Sequence, residues 1–207
     1  MAPGPRPPRG RRVSAARPAT VVLADGRHAV VRTLVASDRA ALEQLFARTS
    51  EQNLYTRFFG LGASTVPRHL DHLFSGSPSV TAYVLTRDDR VLGVADVERL
   101  DPSSAEVAFL VADDAHGCGV ATLLLERAAA DARAAGVAWF VADVLATNHP
   151  MLQVFEDAGF AVHVRRDGTE VSVRMSTALD TGARDASVEH AAASEAARRA
   201  RDLEGLS

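Results

Sequence analysis

From residue 21 to residue 179 the apolar residues switch repeatedly between a spacing of two and a spacing near 3.6, and this switching constrains the fold more than anything else in the chain. A spacing of two sends alternate side chains to opposite faces of a strand, whereas 3.6 lays a stripe along one face of a helix. His28 to Val35 alternates as a strand. Ser37 then stands where an N-cap belongs, and Ala40, Ala41, Leu45 and Phe46 line one side of a first helix. Leu54 to Phe59 and Val66 to Phe74 read as two short helices, with Pro67 in the first turn of the second. Val80 to Thr86, Val91 to Leu100 and Ala105 to Val111 read as three strands. The polar run Arg87 to Arg90 suits an antiparallel hairpin between the first two. A long helix over Val120 to Ala135 stops at Gly136, and a strand covers Val137 to Ala146. Pro150 to Ala158 follows as a helix with Met151, Val154 and Phe155 inward, stopped by Gly159. Phe160 to Val164 and Val171 to Met175 close as a hairpin around Asp167 and Gly168. The sum is a mixed sheet flanked by helices, an α/β (α+β) fold.

The two ends lack this pattern. Residues 1–20 mix Pro3, Pro5, Pro7, Pro8 and Pro18 with Arg6, Arg9, Arg11, Arg12 and Arg17, too little apolar surface to order, so a disordered basic arm is expected there. Residues 180–207 are rich in Ala, Arg and Glu and read as a flexible or helical tail. One domain over 21–179 is expected between them, and 47% hydrophobic content in 207 residues is enough for its core. The net charge of -3 gives no reason to expect a nucleic acid partner. All 23 basic side chains are Arg, so the chain holds no lysine of its own. No apolar run approaches a membrane span, no signal-peptide segment stands at the start, and Cys118 is alone. A soluble cytoplasmic protein without membrane contact, monomeric or homodimeric, is the expectation.

A strand ending near Val111, a turn with Gly117 and Gly119, and a helix opening at Val120 together make an anion site. Glycines let the backbone approach a ligand, and the free N–H groups of the first helical turn point at it along the helix dipole. A pyrophosphate fits; a glycine pair alone would equally serve an ordinary strand-to-helix turn.

The flanking residues add more. The run His116, Gly117, Cys118, Gly119, Val120, Ala121 resembles the signature of the GNAT superfamily of N-acetyltransferases: Gln or Arg, two residues, Gly, one residue, then Gly or Ala. Asn148 to Phe160 (NHPMLQVFEDAGF) looks like the fourth motif of that superfamily, and the likeness covers residues 27 to 177 in the order of strands and helices. His116 departs from Gln or Arg, and Cys118 replaces a frequently basic residue. The resemblance implies a mostly antiparallel sheet of about seven strands, splayed between the fourth and fifth. It also implies acetyl-CoA as co-substrate and no metal. The backbone of Phe109, Leu110 and Val111 would then bond the pantetheine arm as a neighbouring strand does. Gly117, Cys118, Gly119, Val120, Ala121 and Thr122 would hold the pyrophosphate, with Cys118 a small filler and not a nucleophile. Asn148 would bind the coenzyme arm or the acetyl region; by position alone it equally caps the helix that follows.

An amine that attacks a thioester must lose a proton. Glu106, in an otherwise apolar stretch of the strand before the loop, is the candidate base, since partial burial would raise its pKa. The resemblance supports it over an idle surface carboxylate; Asp96 and Glu98 are the reserves. Related enzymes often place a proton-donating Tyr seven residues beyond the motif Asn, where this chain has Phe155, which cannot donate. His69 and His72 lack partners for a metal site and are expected to face solvent, and His149 either lines the acceptor end or faces solvent. Thr49 to Gly60 (TSEQNLYTRFFG), with Tyr55, Arg57, Phe58 and Phe59, resembles bacterial Pat-type protein-lysine acetyltransferases. The acceptor expected is therefore a primary amine, a protein lysine or a small molecule. A non-catalytic acyl-CoA-binding regulatory module is the alternative from another class.

Overall fold

The computed structural model describes residues 17–60 and 62–179, so most of the expected basic arm and the whole expected tail lie outside the described residues. Ala19 and Thr20, assigned to the arm on composition, belong instead to strand β1 (Ala19–Val22). Only four residues long, β1 is fixed by pairing with β2 (His28–Thr33), Ala19 opposite Val31. The order continues with α1 (Arg39–Arg48), α2 (Glu51–Phe58), α3 (Thr65–Leu73), β3 (Val80–Arg87), β4 (Arg90–Arg99) and β5 (Ser104–Val111). After these come α4 (Val120–Ala134), β6 (Trp139–Leu145), α5 (His149–Asp157), β7 (Phe160–Asp167) and β8 (Glu170–Leu179). The strands form one sheet of eight, in the order β1-β2-β3-β4-β5-β6-β8-β7. One more strand is present than the sequence pattern suggests, because β1 straddles the expected boundary between arm and domain at residue 20 and shows no strand period of its own. Every neighbouring pair is antiparallel except β5 with β6.

Local chemistry accounts for most element ends. Asp88 and Asp89 both take positive φ, 49° and 61°, as a two-residue hairpin between β3 and β4 demands. Gly136 (φ 84°) ends α4 and Gly159 (φ 69°) ends α5. The start of α1 differs from expectation. A 3-10 turn, Ala36–Asp38, precedes it, and Asp38 takes the polar role assigned to Ser37. The carboxylate of Asp38 accepts from Val35 N at 2.8 Å and from Arg32 at 2.6 and 2.8 Å. Arg32 holds the Asp38 pKa below the usual carboxylate value. A buried carboxylate that satisfies both a backbone N–H and a guanidinium outcompetes a serine that could satisfy only the first. The buried stripe of α1 is Leu42, Leu45 and Phe46, and Ala40 is exposed.

Helices α1, α2 and α3 cover one face of the sheet and α4 the other. Directly opposed pairs share a face, so Val94 with Leu110, Asp96 with Ala108 and Glu98 with Glu106 belong to the α1–α3 side. Gly93 with Val111 and Ala95 with Phe109 belong to the α4 side. Leu85, Leu110, Leu124, Leu125, Phe140, Phe155 and Met175 are among the largest fully buried side chains. No helix among the described residues is long and apolar enough to cross a membrane.

The first turn of α4 sits very close to β4. A Cβ built on Gly93 would lie 2.7 Å from Val120 Cγ1, 3.1 Å from Leu110 O and 3.3 Å from Leu124 Cδ1. Gly93→Ala is therefore expected to lower stability by about 1–3 kcal/mol, read as a shift in the urea midpoint, because the helix must lift off the sheet. An unchanged midpoint would mean that α4 is not seated this closely.

Candidate functional site

Strands β5 and β6 pair over three positions only: Ser104 with Trp139, Ala105 with Phe140, and Glu106 with Val141. Beyond Glu106 they part, as the expected splay between the fourth and fifth strands requires. Phe109 and Phe155 meet edge-on in the gap, ring centroids 6.1 Å apart. The opening forms a cavity of about 790 Å³, lined among others by Glu106, Phe109, Val111, Asn148 and Phe155.

Which backbone groups face this cavity follows from register. Ala112 N donates to Leu92 O and Leu100 N to Ser104 O, so the even-numbered positions of β5 exchange their hydrogen bonds with β4. The N–H and C=O groups of Val107, Phe109 and Val111 therefore point to the cleft. Leu110 departs from its expected role: its backbone is spent on β4 opposite Val94, and its side chain is buried in the core.

At one end of the cavity lies the loop before α4. Gly117 and Gly119 have φ of 73° and 79°, and a Cβ on either would meet nothing within 4 Å. No side chain caps α4, and the first bond of the helix runs from Leu123 N to Gly119 O. Among the described residues the N–H groups of Gly119, Val120, Ala121 and Thr122 thus have no protein partner and open on the cavity. Uncapped donors at a helix start, bordered by unfilled space, fit a pyrophosphate. Cys118 is not among the lining residues; its carbonyl accepts from Ala24 N at 3.0 Å and its side chain packs partly against the core.

At the other end Glu106 stands on the α2 side of β5. Partial desolvation raises its pKa above the usual carboxylate value, opposed by Arg57 and reinforced by Asp96, Asp143 and Glu98. The two reserve carboxylates are engaged: Arg57 Nη2 donates to Asp96 at 2.8 and 3.0 Å, and His72 Nε2 lies 3.0 Å from Glu98. Asp143 on β6 also lines the cavity and accepts from Ser172 Oγ at 2.7 Å. His69 is not solvent-facing as expected. It is wedged between Phe46 and Phe58, Nε2 without a hydrogen-bond partner and 3.8 Å from Asp96. Its burial holds its pKa down to about 4, so it is neutral near pH 7.

Asn148 takes the capping role, one of the two the sequence left open. Its Oδ1 accepts from Met151 N at 3.3 Å, capping α5, while the residue also lines the cavity. Phe155, at the position of the usual Tyr, is 1% exposed. Ser50, Asn53 and Asp143 line the cavity but carried no functional signal in the sequence. Asn53 lay within the Thr49 to Gly60 segment and could have been singled out only through its contact across 58 residues to Val111. Groups of three or more potential metal ligands are absent among the described residues.

Residues 39–160 match the family model described as Acetyltransferase (GNAT) family. The chain is similar to the GNAT domain of S. lividans PAT at 32% identity and TM-score 0.66, over 77% of this chain and 96% of that one. It is also similar to a mutant of a cAMP-binding acyltransferase from Mycobacterium smegmatis, at 26% identity and TM-score 0.53, over 78% of this chain and 47% of that one. The chain thus spans about half the length of that enzyme. Salmonella typhimurium yncA, solved with its cofactor acetyl-CoA, shares the fold at 18% identity and TM-score 0.59, over 74% of this chain and 95% of that one.

The neutral burial of His69 has a pH signature. Its pKa is about 4 folded against about 6.5 unfolded, so between these values the unfolded chain binds the extra proton. Stability from this group is complete above pH 6.5 and is lost as pH falls toward 4, by up to about 1.4 kcal/mol per pH unit. His69→Leu is expected to remove that part of the slope in denaturation curves taken across this window. An identical slope would show that His69 is not held neutral.

Proposed function

The chain belongs to the acetyltransferase (GNAT) family, and from that premise we propose that it transfers an acetyl group from acetyl-CoA directly to a lysine side chain of a protein, with Glu106 as general base. The observation that carries this reading is the continuity of the cavity from the uncapped turn at Gly119 to Thr122, along the free edge of β5, to the Glu106 carboxylate.

Each part has a chemical task. The N–H groups of Gly119, Val120, Ala121 and Thr122 hold the pyrophosphate. The cleft edge bonds the pantetheine amides as an added strand, through the N–H and C=O of Phe109 and the N–H of Val111, whose C=O is held by Asn53. Glu106 takes the proton from the attacking ammonium, directly or through a water, and its raised pKa brings its basicity closer to neutral pH. The amine then forms a bond to the thioester carbonyl carbon, the carbon–sulfur bond breaks, and the nitrogen gives up its second proton to solvent. Phe155 supplies no proton to the departing sulfur, which leaves as the thiolate or is protonated from solvent. A cationic acceptor suits the surroundings: Arg57 is committed to Asp96, while the carboxylates of Glu106 and Asp143 both line the cavity. A protein as acceptor is supported by the likeness to the GNAT domain of S. lividans PAT, a kinship to which Tyr55, Arg57, Phe58 and Phe59 add.

Thiol release from acetyl-CoA, measured with a lysine-containing protein and with a panel of small amines, tests the assignment. Turnover on the protein acceptor is expected. Turnover restricted to small amines would move the acceptor class, and binding of CoA with no turnover on any acceptor would remove catalysis. Glu106→Gln is expected to lower kcat about 100-fold with CoA affinity retained. In the parent, kcat/KM should rise with pH through the raised Glu106 pKa, since the base acts ionised, and the variant should lack that limb. Gly119→Val is expected to weaken CoA binding at least about 10-fold, through its positive φ and the bulk brought against the pyrophosphate. Normal affinity in that variant would take the loop out of the binding site.

A further inference from the structure

Of the three carbonyls on the cleft edge of β5, the outermost is already occupied. Asn53, in the first turn of α2, donates from Nδ2 to Val111 O at 2.8 Å and to Asp113 Oδ1 at 3.1 Å. His116 Nε2 lies 3.1 Å from the same carbonyl and 3.2 Å from Asn53 Nδ2. With both amide hydrogens of Asn53 committed, His116 Nε2 faces Val111 O as a second N–H donor, and a carbonyl oxygen with two lone pairs accepts both. Ser50 fastens both oxygens of Asp113, its N donating to Oδ2 and its Oγ to Oδ1, each at 2.8 Å. The start of α2, the end of β5 and the first residue of the anion loop are thereby joined at one point.

An open strand edge repeats its docking positions every second residue, about 6.8 Å apart. Nothing in the strand itself says where an added partner must stop. We propose that Asn53 is a positioning residue for the co-substrate: it caps the Val111 carbonyl together with His116, closes the outer end of the β5 docking edge, and holds the loop from His116 to Thr122 at a fixed distance from that edge. Asn53 touches no reacting atom. The inference rests on the β5 edge and the glycine loop as the acetyl-CoA site.

Titration calorimetry with CoA alone, alongside steady-state kinetics, tests it. Asn53→Ala is expected to raise the Kd for CoA and the KM for acetyl-CoA about five- to tenfold, as loss of one or two hydrogen bonds would, with kcat within about twofold. Asn53→Asp keeps the shape but turns a carboxylate toward Val111 O and Asp113, and should bind CoA more weakly than Asn53→Ala. His116→Ala should weaken binding less when Asn53 is already Ala than in the parent, because the two side chains share one acceptor. Glu51→Ala, on the same exposed turn of α2, should leave CoA affinity within about twofold. The inference is overturned by unchanged CoA affinity in both Asn53 variants, by an equal loss in Glu51→Ala, or by full additivity with His116→Ala. If Asn53→Ala loses its near-UV circular dichroism, His116→Ala alone decides, and unchanged affinity there is the overturning result. A parent chain that does not bind CoA would sink the site assignment itself, a different outcome from a parent that binds and variants that match it.

Discussion

The structure turns on a backbone ladder that stops early. Three paired positions join β5 to β6, and past Glu106 the two strands have no hydrogen bonds to share. Unpaired backbone groups buried away from water are costly, so an interrupted ladder inside a packed sheet persists where a cavity or a ligand meets the freed groups. Phe109 and Phe155 meet edge to face in the gap, and α4 packs against both β5 and α5.

The same interruption sorts the polar groups of the site into two classes. On the loop side the partners are dipoles: uncapped N–H groups at the start of α4, suited to an anion and unaffected by pH. On the α2 side they are side-chain charges, and their mutual pairing decides which remains available. Arg57 and Asp96 neutralise each other, and His69 behind them is too desolvated to carry a proton near pH 7. Glu106 has no ion-pair partner among the described residues and has its pKa raised by desolvation and neighbouring carboxylates. What separates it from Asp96 and Glu98 is therefore pairing, not residue type.

Much of the fold was legible from local pattern, because strand and helix periods survive in sequence wherever one face is buried. The hairpin at Asp88 and Asp89, the stops at Gly136 and Gly159 and the long α4 needed only neighbouring residues. Strand β1 was missed since four residues are too few to display a period, and its stability comes from β2. Asp38 gave no capping signal in the sequence because its second partner, Arg32, lies on another element. His69 looked like a surface residue because the rings that enclose it come from α1 and α2.

The sequence by itself determined the mixed architecture, the glycine turn ahead of α4 and the carboxylate on β5, since each depends on residue type and short-range spacing. Tertiary structure decided the rest: that Leu110 turns away from the cleft while Val107, Phe109 and Val111 face it, that Asp96 is spent on Arg57, and that Asn53 reaches the end of β5. Register and ion pairing are properties of two segments at once, and a one-residue change in pairing would have exchanged every one of these assignments.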